Sequence, residues 1–291
     1  MRTMNVVALS LGYALSLGAP AGADIRRGDA AYERRAEHAV ARQADPANIR
    51  AAVRAYEATL AADPESLEAR WKLLRALYFE GDFATTDATA KNALFERAVA
   101  LAEDSRARFE ARAGADLAGR SDAELRGALA GAGISATDAA ALHFWSAVAW
   151  GVWSQTHGLL EAVRRGVAER IYAQASLAHR LEPDLEQGGP LRLLARLHAK
   201  LPRVPLVSGF VDREKAVPLA AEARLRWPGH PGNALLLAVT WLELAPGSRD
   251  EALALLAEIA AAEPRPEQHI EDAAVVQAAR ERLADEQGEE A

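Results

Sequence analysis

The sequence predicts an all-α fold of stacked antiparallel helical hairpins. Apolar residues recur at helical spacing along nearly the whole chain, and no stretch shows sustained alternation with a period of two. Turn signals divide the chain into segments of helical length, about twelve helices in all. One stretch, residues 51–83, also carries the spacing of a known helical repeat. These three observations together predict the hairpin stack.

The first 23 residues have the three-part plan of a secretory signal peptide. Arg2 precedes an apolar run over residues 6–18, and the small residues 21–23 stand directly before Asp24. The run is short for a membrane span, which needs ~20 residues. We therefore expect cleavage before Asp24 and export to the periplasm. The alternative is a retained amphiphilic N-terminal helix.

The helix boundaries are expected where proline and glycine interrupt the helical pattern. These turns fall at residues 44–46, 63–64, 81–82, 131–133, 157–158, 188–190, 202, 228–229, 246–247 and 264. They predict paired helices over 46–62 and 64–80, a second pair over 212–226 and 233–244, and one longer helix over 84–113. We expect a single helical domain over residues 24–286 and an acidic disordered tail over 287–291.

Residues 51–83 resemble the tetratricopeptide repeat without a gap. Ala52 takes the small position of one helix, Tyr56 takes the large position four residues later, and Pro64 follows after eight more. Small residues let two helices approach closely, large ones fill the groove beside them, and proline suits the start of the next helix. Gly81 and Phe83 are expected at the turn, with Phe83 packed beneath it.

Degenerate copies of the same spacing recur later in the chain. They begin at Ala216 and Ala252 and end at Pro228 and Pro264, and a looser copy ends at Pro183. One gapless match with three partial ones on a helical chain favours stacked hairpins that share a continuous core.

Charge and composition exclude several classes of protein. Without Arg2 the chain has 33 basic and 41 acidic residues, a net charge of −8, which argues against nucleic-acid binding. The chain has no cysteine, so it has no disulfide, no thiolate metal site and no cysteine for a lipid anchor.

The motifs of catalysis and of cofactor binding are missing from the sequence. The seven histidines stand in no metal-ligand spacing, and the glycines at 131 and 133 follow no predicted strand. No strand–turn–helix segment holds a nucleophilic serine. We expect a protein that is not an enzyme, with no catalytic residues, no metal and no cofactor.

The stretch HFWSAVAWGVWSQTHG, residues 143–158, holds three of the six tryptophans. On a helix, Trp145 and Trp153 share one stripe, which suggests packing against a neighbouring helix. Trp150 lies on another face beside His143 and Ser146, where an aromatic wall with polar neighbours could bind a ligand or partner. The alternative is that all three tryptophans are core residues. We treat these five residues as the candidate binding site.

The same stretch is similar to the aromatic helix of the T component of tripartite ATP-independent periplasmic (TRAP) transporters. The likeness continues through AQASLAHRLEPDLEQGGPLRLLARLHAKLP, residues 173–202, and covers about residues 45–262. The resemblance implies tetratricopeptide-like hairpins, a periplasmic location, a trimer and binding to the transporter's substrate-binding protein. It also suggests an apolar or organic-acid ligand.

Two functions are therefore left open. The first is an accessory protein of a TRAP-type transporter, which binds the substrate-binding protein. The second is a tetratricopeptide-type scaffold for envelope protein assembly, with no ligand. Family members often carry a lipid anchor on a cysteine, and the absence of cysteine favours an unanchored periplasmic form here.

Overall fold

The computed structural model describes residues 21–203 and 208–288, and these ranges fold into helices joined by short turns. The described residues form thirteen α-helices, and their only bridge of β type is an isolated one between Val40 and Gln43. The helices are α1 Ala21–Glu33, α2 Pro46–Ala62, α3 Leu67–Phe83, α4 Ala88–Ala113, α5 Asp122–Gly131, α6 Ala136–His157, α7 Leu159–Arg164, α8 Val167–Leu181, α9 Gly189–Lys200, α10 Ala216–Arg226, α11 Pro231–Leu244, α12 Arg249–Ala261 and α13 His269–Gly288. The all-α prediction is confirmed.

Side-chain caps explain where several of these helices begin. The residue before the helix accepts a hydrogen bond from a backbone N–H of the first turn, which would otherwise lack a partner. Asp45, Ser66, Asp87, Ser121 and Ser135 do this at the starts of α2 to α6. At α5 the cap is a full capping box, because the Glu124 carboxylate also accepts from the backbone of Ser121.

The small positions of the repeat spacing lie at close helix contacts. Ala52, Ala178, Ala216 and Ala252 are all 0% exposed. Tyr56 at the large position is also fully buried and packs on α1, where a Cβ at Gly28 would lie 2.4 Å from the tyrosine ring. Small residues at these seams let neighbouring helices pack closely.

The turn residues of the repeat correct the expected helix boundaries. Pro64 lies in the turn, and α3 begins only at Leu67 because Ser66 provides the cap. Gly81 lies inside α3, where the absence of a Cβ lets the Phe95 ring of α4 approach. Phe83 ends the helix and is buried as expected, with its ring centroid 5.1 Å from that of Phe79.

Helix α6 is a central helix of the described structure. It packs on α3, α4 and α8, and from α8 onward each of the helices α9 to α13 packs on its predecessor. A helix that is apolar on all sides must be surrounded by other helices to bury its surface. This explains why the tryptophan-rich segment is a central element of the fold.

The two ends of the described chain meet. Arg35, just after α1, donates to Glu271 of α13 with N–O distances of 2.6 and 2.9 Å. Beside this ion pair, Ile270 is fully buried in the same apolar cluster as Ala31 and Phe79. Side chains from both ends are therefore buried in one core, an arrangement typical of a single domain.

Two expectations about the chain ends fall partly outside the described residues. Most of the predicted signal peptide, residues 1–20, lies outside them, and residues 21–23 form the first turn of α1. Of the predicted tail, residues 287 and 288 belong to α13 and residues 289–291 are outside. Within the described ranges, no helix has both the length and the apolar character of a membrane span.

Candidate functional site

All three tryptophans of α6 are buried. Trp145 is 8% exposed, Trp150 3% and Trp153 1%. A location of Trp150 outside the core would make it matter less to stability than the other two, but its burial gives no support for that difference. An indole side chain buries about 150–250 Å², and its loss from a packed position is costly wherever it lies.

The pairing of the tryptophans differs from the expected one. Trp145 packs against Tyr78 of α3, with ring centroids 5.8 Å apart. Trp153 instead meets Trp150 edge to face at 5.6 Å, in a separate apolar cluster with Phe95. Residues three apart are neighbours on a helix surface, which brings these two rings together. Trp145 and Trp153 therefore pack against different neighbouring helices and do not share one packing stripe.

Trp150 lines a surface pocket of about 310 Å³ beside α4 and α8. The pocket walls come from α4, α6, the end of α7 and the start of α8. They are formed by Glu96, Val99, Ala100, Glu103, Trp150, Arg164, Arg165 and Arg170. We call this the arginine pocket. Its polar lining differs from the expected His143 and Ser146, because three arginines and two glutamates line it beside the indole.

The guanidinium groups of the pocket lie against the tryptophan rings. The Arg170 group lies 4.9 Å from the centroid of Trp150, and the Arg165 group lies 4.8 Å from that of Trp153. These are cation–π distances, and such contacts favour arginine over lysine because the planar group stacks on the ring.

The two arginines differ in how firmly they are paired. Arg170 donates to Glu103 at 2.6 Å and to the backbone carbonyl of Arg165 at 2.9 Å. Arg165 has only long contacts of 4.0 Å, to Glu96 and to Glu161. A loosely paired guanidinium at the rim of a pocket can form a bidentate hydrogen bond with a carboxylate.

His157 fixes the end of α6 next to the arginine pocket. Its ring stacks on Trp153 with centroids 4.2 Å apart, and its Nε2 lies 2.9 Å from Glu96. Gly158 follows with φ of +83°, which glycine adopts at little cost, and the chain turns into α7.

The other predicted site residues lie elsewhere. His143 and Ser146 are 5% and 3% exposed, and neither lines the arginine pocket. His143 packs edge to face on Phe109 at 4.7 Å, and its Nδ1 is hydrogen-bonded to Gln174 of α8. Burial lowers the pKa of His143 to about 4, so the imidazole is neutral at physiological pH.

Helix α6 carries three buried nitrogens without a hydrogen bond. His143 Nε2, Trp145 Nε1 and Trp153 Nε1 have no partner among the described residues. An indole N–H usually finds a partner when buried, and a vacant one costs roughly 1–3 kcal/mol. At these three positions the side chains therefore stabilise the fold mainly through apolar and aromatic packing.

A second surface pocket lies at the other end of α6. It has a volume of about 480 Å³ and is lined mainly by the turns that precede α3 and α6. Asp138 on its wall accepts a hydrogen bond from Trp71 Nε1 at 3.0 Å. Within the described ranges no three His, Cys, Asp or Glu side chains are grouped so that they could hold a metal ion.

Sequence reasoning missed the arginines of the pocket. Arg164 and Arg165 form a basic pair at the end of α7, and Arg170 follows in the first turn of α8. A pair of arginines beside a tryptophan-rich helix could have suggested cation–π contacts. Their convergence with α4 depends on the packing of three helices, which spacing alone does not specify.

The fold and the site define an all-α protein of stacked helical hairpins with an arginine-lined aromatic pocket. Among solved structures, the chain is similar to a thermophilic TPR protein of Thermus thermophilus. The two share 17% sequence identity with a TM-score of 0.49, over 91% of this chain and 98% of that chain. No family model matches the chain, and no curated protein matches it.

Proposed function

We propose that the protein is a non-enzymatic accessory component of a TRAP-type solute transporter, which acts in the periplasm and binds the substrate-binding protein. The sequence likeness of residues 143–165 and 173–202 to the T component supports this proposal. Stacked helical hairpins also suit protein binding, since they present extended surfaces without needing a catalytic constellation.

The observation that carries the proposal is the arginine pocket at the end of the tryptophan-rich helix. Its volume of about 310 Å³ is at the small end of the range of ligand pockets. Trp150 and Val99 offer apolar surface, and Arg165 offers a loosely paired guanidinium. This combination fits a small organic acid, whose carboxylate pairs with the arginine while its carbon chain lies on the indole.

Titration calorimetry with two probes tests the proposal. The first is the purified substrate-binding protein of a TRAP system from the same source, and the second is octanoate, with octanol as an uncharged control. We expect both the protein and octanoate to bind. Arg165→Gln should weaken octanoate binding about tenfold, the value of one charge-assisted hydrogen bond.

The matched control is Arg180→Gln, which removes one charge from α8 away from the pocket, where Arg180 pairs with Asp122 at 2.8 Å. Equal loss of binding in both variants would contradict the assigned pocket. If the substrate-binding protein fails to bind, the transporter role is wrong. A scaffold for envelope assembly is then the alternative.

The periplasmic location has its own measurement. We expect N-terminal sequencing of the protein from the envelope fraction to give a first residue near Asp24, because small residues at 21 and 23 match a cleavage site. Intact Met1 in the cytosol would contradict this.

Light scattering of the mature protein should give the mass of a trimer, as the resemblance implies.

A further inference from the structure

Helix α7 exposes a cluster of apolar side chains to solvent. Leu159 is 75% exposed, Leu160 83% and Val163 55%. Among the described residues only Val40 and Leu225 are other large apolar side chains with comparable exposure. Scattered exposed leucines are ordinary, but three apolar side chains within one helix of six residues form a patch that water does not favour.

This patch lies on a protruding turn of the chain. Helix α7 joins α6 to α8, contains no buried residue, and is bounded by Gly158 and Gly166. The two glycines have φ of +83° and +61°, a conformation that glycine adopts readily and that lets the chain reverse twice. The helix is therefore held outside the core, and its apolar side chains lie on the outer surface.

An exposed positive charge borders the apolar side chains. The Arg164 side chain is 80% exposed, and its contact with the Glu161 carboxylate is long, at 3.5 Å. Arg164 also lines the arginine pocket at its outer edge, whereas Arg165 stacks on Trp153 and is not part of this exposed surface. We call Leu159, Leu160, Val163 and Arg164 the tip patch.

The tip patch is too small to be a stable protein interface by itself. A specific interface buries ~800 Å² per partner from about 20–30 residues, whereas this patch has only a single short helix to offer. A bilayer surface requires no matching shape, and each leucine transferred from water into the acyl boundary favours binding. An arginine beside the apolar side chains can remain at the level of the lipid phosphates.

We propose that the tip patch is a peripheral contact with an anionic membrane surface, in which Leu159, Leu160 and Val163 enter the acyl boundary and Arg164 pairs with lipid phosphate. The net charge of −7 opposes approach of the whole molecule, but charges beyond ~8 Å are screened at physiological salt. Binding is therefore weak, reversible and dependent on the leucines. The inference does not depend on the partner proposed above.

Co-sedimentation with vesicles tests the inference. The mature protein, expected to begin near Asp24, is mixed with vesicles of phosphatidylglycerol and phosphatidylcholine in equal parts, and with vesicles of phosphatidylcholine alone. We expect partition into the anionic vesicles that falls as salt is added. The double variant Leu159→Ser, Leu160→Ser should lower the partition coefficient at least about tenfold.

Two matched variants serve as controls. Leu225→Ser removes a leucine that is 82% exposed on α10 and should leave partition unchanged. Arg164→Gln should lower partition about fivefold, the value of one arginine at an anionic surface, while Arg196→Gln at an exposed position of α9 should have no effect. Far-ultraviolet circular dichroism checks that each variant retains its helix content.

Three results would overturn the proposal. The first is the absence of partition into anionic vesicles, and the second is equal loss of partition with the tip patch and control variants. The third is a change in the mass measured by light scattering in the leucine double variant, which would assign the tip patch to contact with a second copy of the chain.

Discussion

At the scale of single residues, His143 shows how burial determines the charge of a side chain. The residue is 5% exposed, and its ring lies between Phe109 and Gln174. Burial disfavours the imidazolium form, outweighs the hydrogen bond with Gln174, and lowers the pKa of His143 to about 4. The polar residue that the sequence suggested for a binding site is therefore part of the interior.

This shift predicts a loss of stability in mild acid. The ordinary histidine pKa is 6.5 and the folded value is about 4, so between these values the unfolded chain binds more protons and stability falls as the pH falls. We expect His143 to contribute ~2 kcal/mol of destabilisation between about pH 7 and pH 5. His230, whose pKa burial lowers to about 3, acts in the same direction.

Urea unfolding at neutral pH and at about pH 5 measures this effect. His143→Gln should be less stable at neutral pH but should lose less stability on acidification than the unmodified protein. If both proteins lose the same stability on acidification, the pKa of His143 does not differ between the folded and unfolded states.

The close packing at Gly81 allows a second prediction at the scale of a single residue. A Cβ at this position would lie 2.4 Å from Cε1 of Phe95, which is 1% exposed and has little space to move. We expect Gly81→Ala to destabilise the protein by about 1–3 kcal/mol through overpacking. Gly127→Ala in α5, where nothing lies within 4 Å of the new methyl group, should stabilise it by about 0.5–1 kcal/mol. Thermal unfolding of the two variants distinguishes these opposite signs.

At the scale of elements, α6 combines a packing role with a place in the candidate site. Its N-terminal half packs through Trp145 on α3, and its C-terminal half carries Trp150 and Trp153 toward α4 and α8. Because the helix is apolar on every side, its sequence predicts a central position but not which face meets which neighbour.

Two measurements distinguish the packing and binding roles of the three tryptophans of α6. Replacement of Trp145, Trp150 or Trp153 by alanine should cost about 3–5 kcal/mol in each case, since all three are buried. Of the three, Trp150 lines the arginine pocket, so Trp150→Phe should weaken octanoate binding and Trp145→Phe should not. Equal binding by the two phenylalanine variants would show that Trp150 has only a packing role.

Phe83 provides a test of the hairpin at the end of α3. It is 8% exposed and contacts the rings of Phe79 and Tyr78, at centroid distances of 5.1 and 6.0 Å. We expect Phe83→Ala to lower the free energy of unfolding by ~3 kcal/mol. A loss below about 0.5 kcal/mol, typical of surface positions, would contradict this placement.

At the scale of the whole molecule, we expect the contact between Arg35 and Glu271, near the two ends of the described chain, to make the helices unfold as one cooperative unit. Arg35 and Glu271 are 236 residues apart in sequence, and the Arg35 guanidinium also lies 4.6 Å from the Tyr32 ring. The Arg35 side chain is 9% exposed, so its pairing with Glu271 is shielded from solvent. Such a contact favours unfolding of both ends together.

A double-mutant cycle measures this coupling. We expect Arg35→Ala and Glu271→Ala to show a coupling energy of about 1–3 kcal/mol. The control cycle uses Arg226 and Asp184, whose side chains are 36% and 71% exposed, and should give less than ~1 kcal/mol. Two separate unfolding transitions in the unmodified protein would show that the ends do not stabilise one another.

The sequence by itself determined the helical class, the approximate helix boundaries and the small residues at the helix seams. These properties depend on local periodicity, on helix capping and on the small size of certain side chains. Each of them involves residues that are close together in the chain. Only the tertiary structure decided that Trp145 packs on Tyr78 of α3, that three arginines line the pocket beside Trp150, and that Arg35 meets Glu271. Each of these contacts joins residues whose distance depends on how several helices pack, and helical spacing alone leaves that packing open.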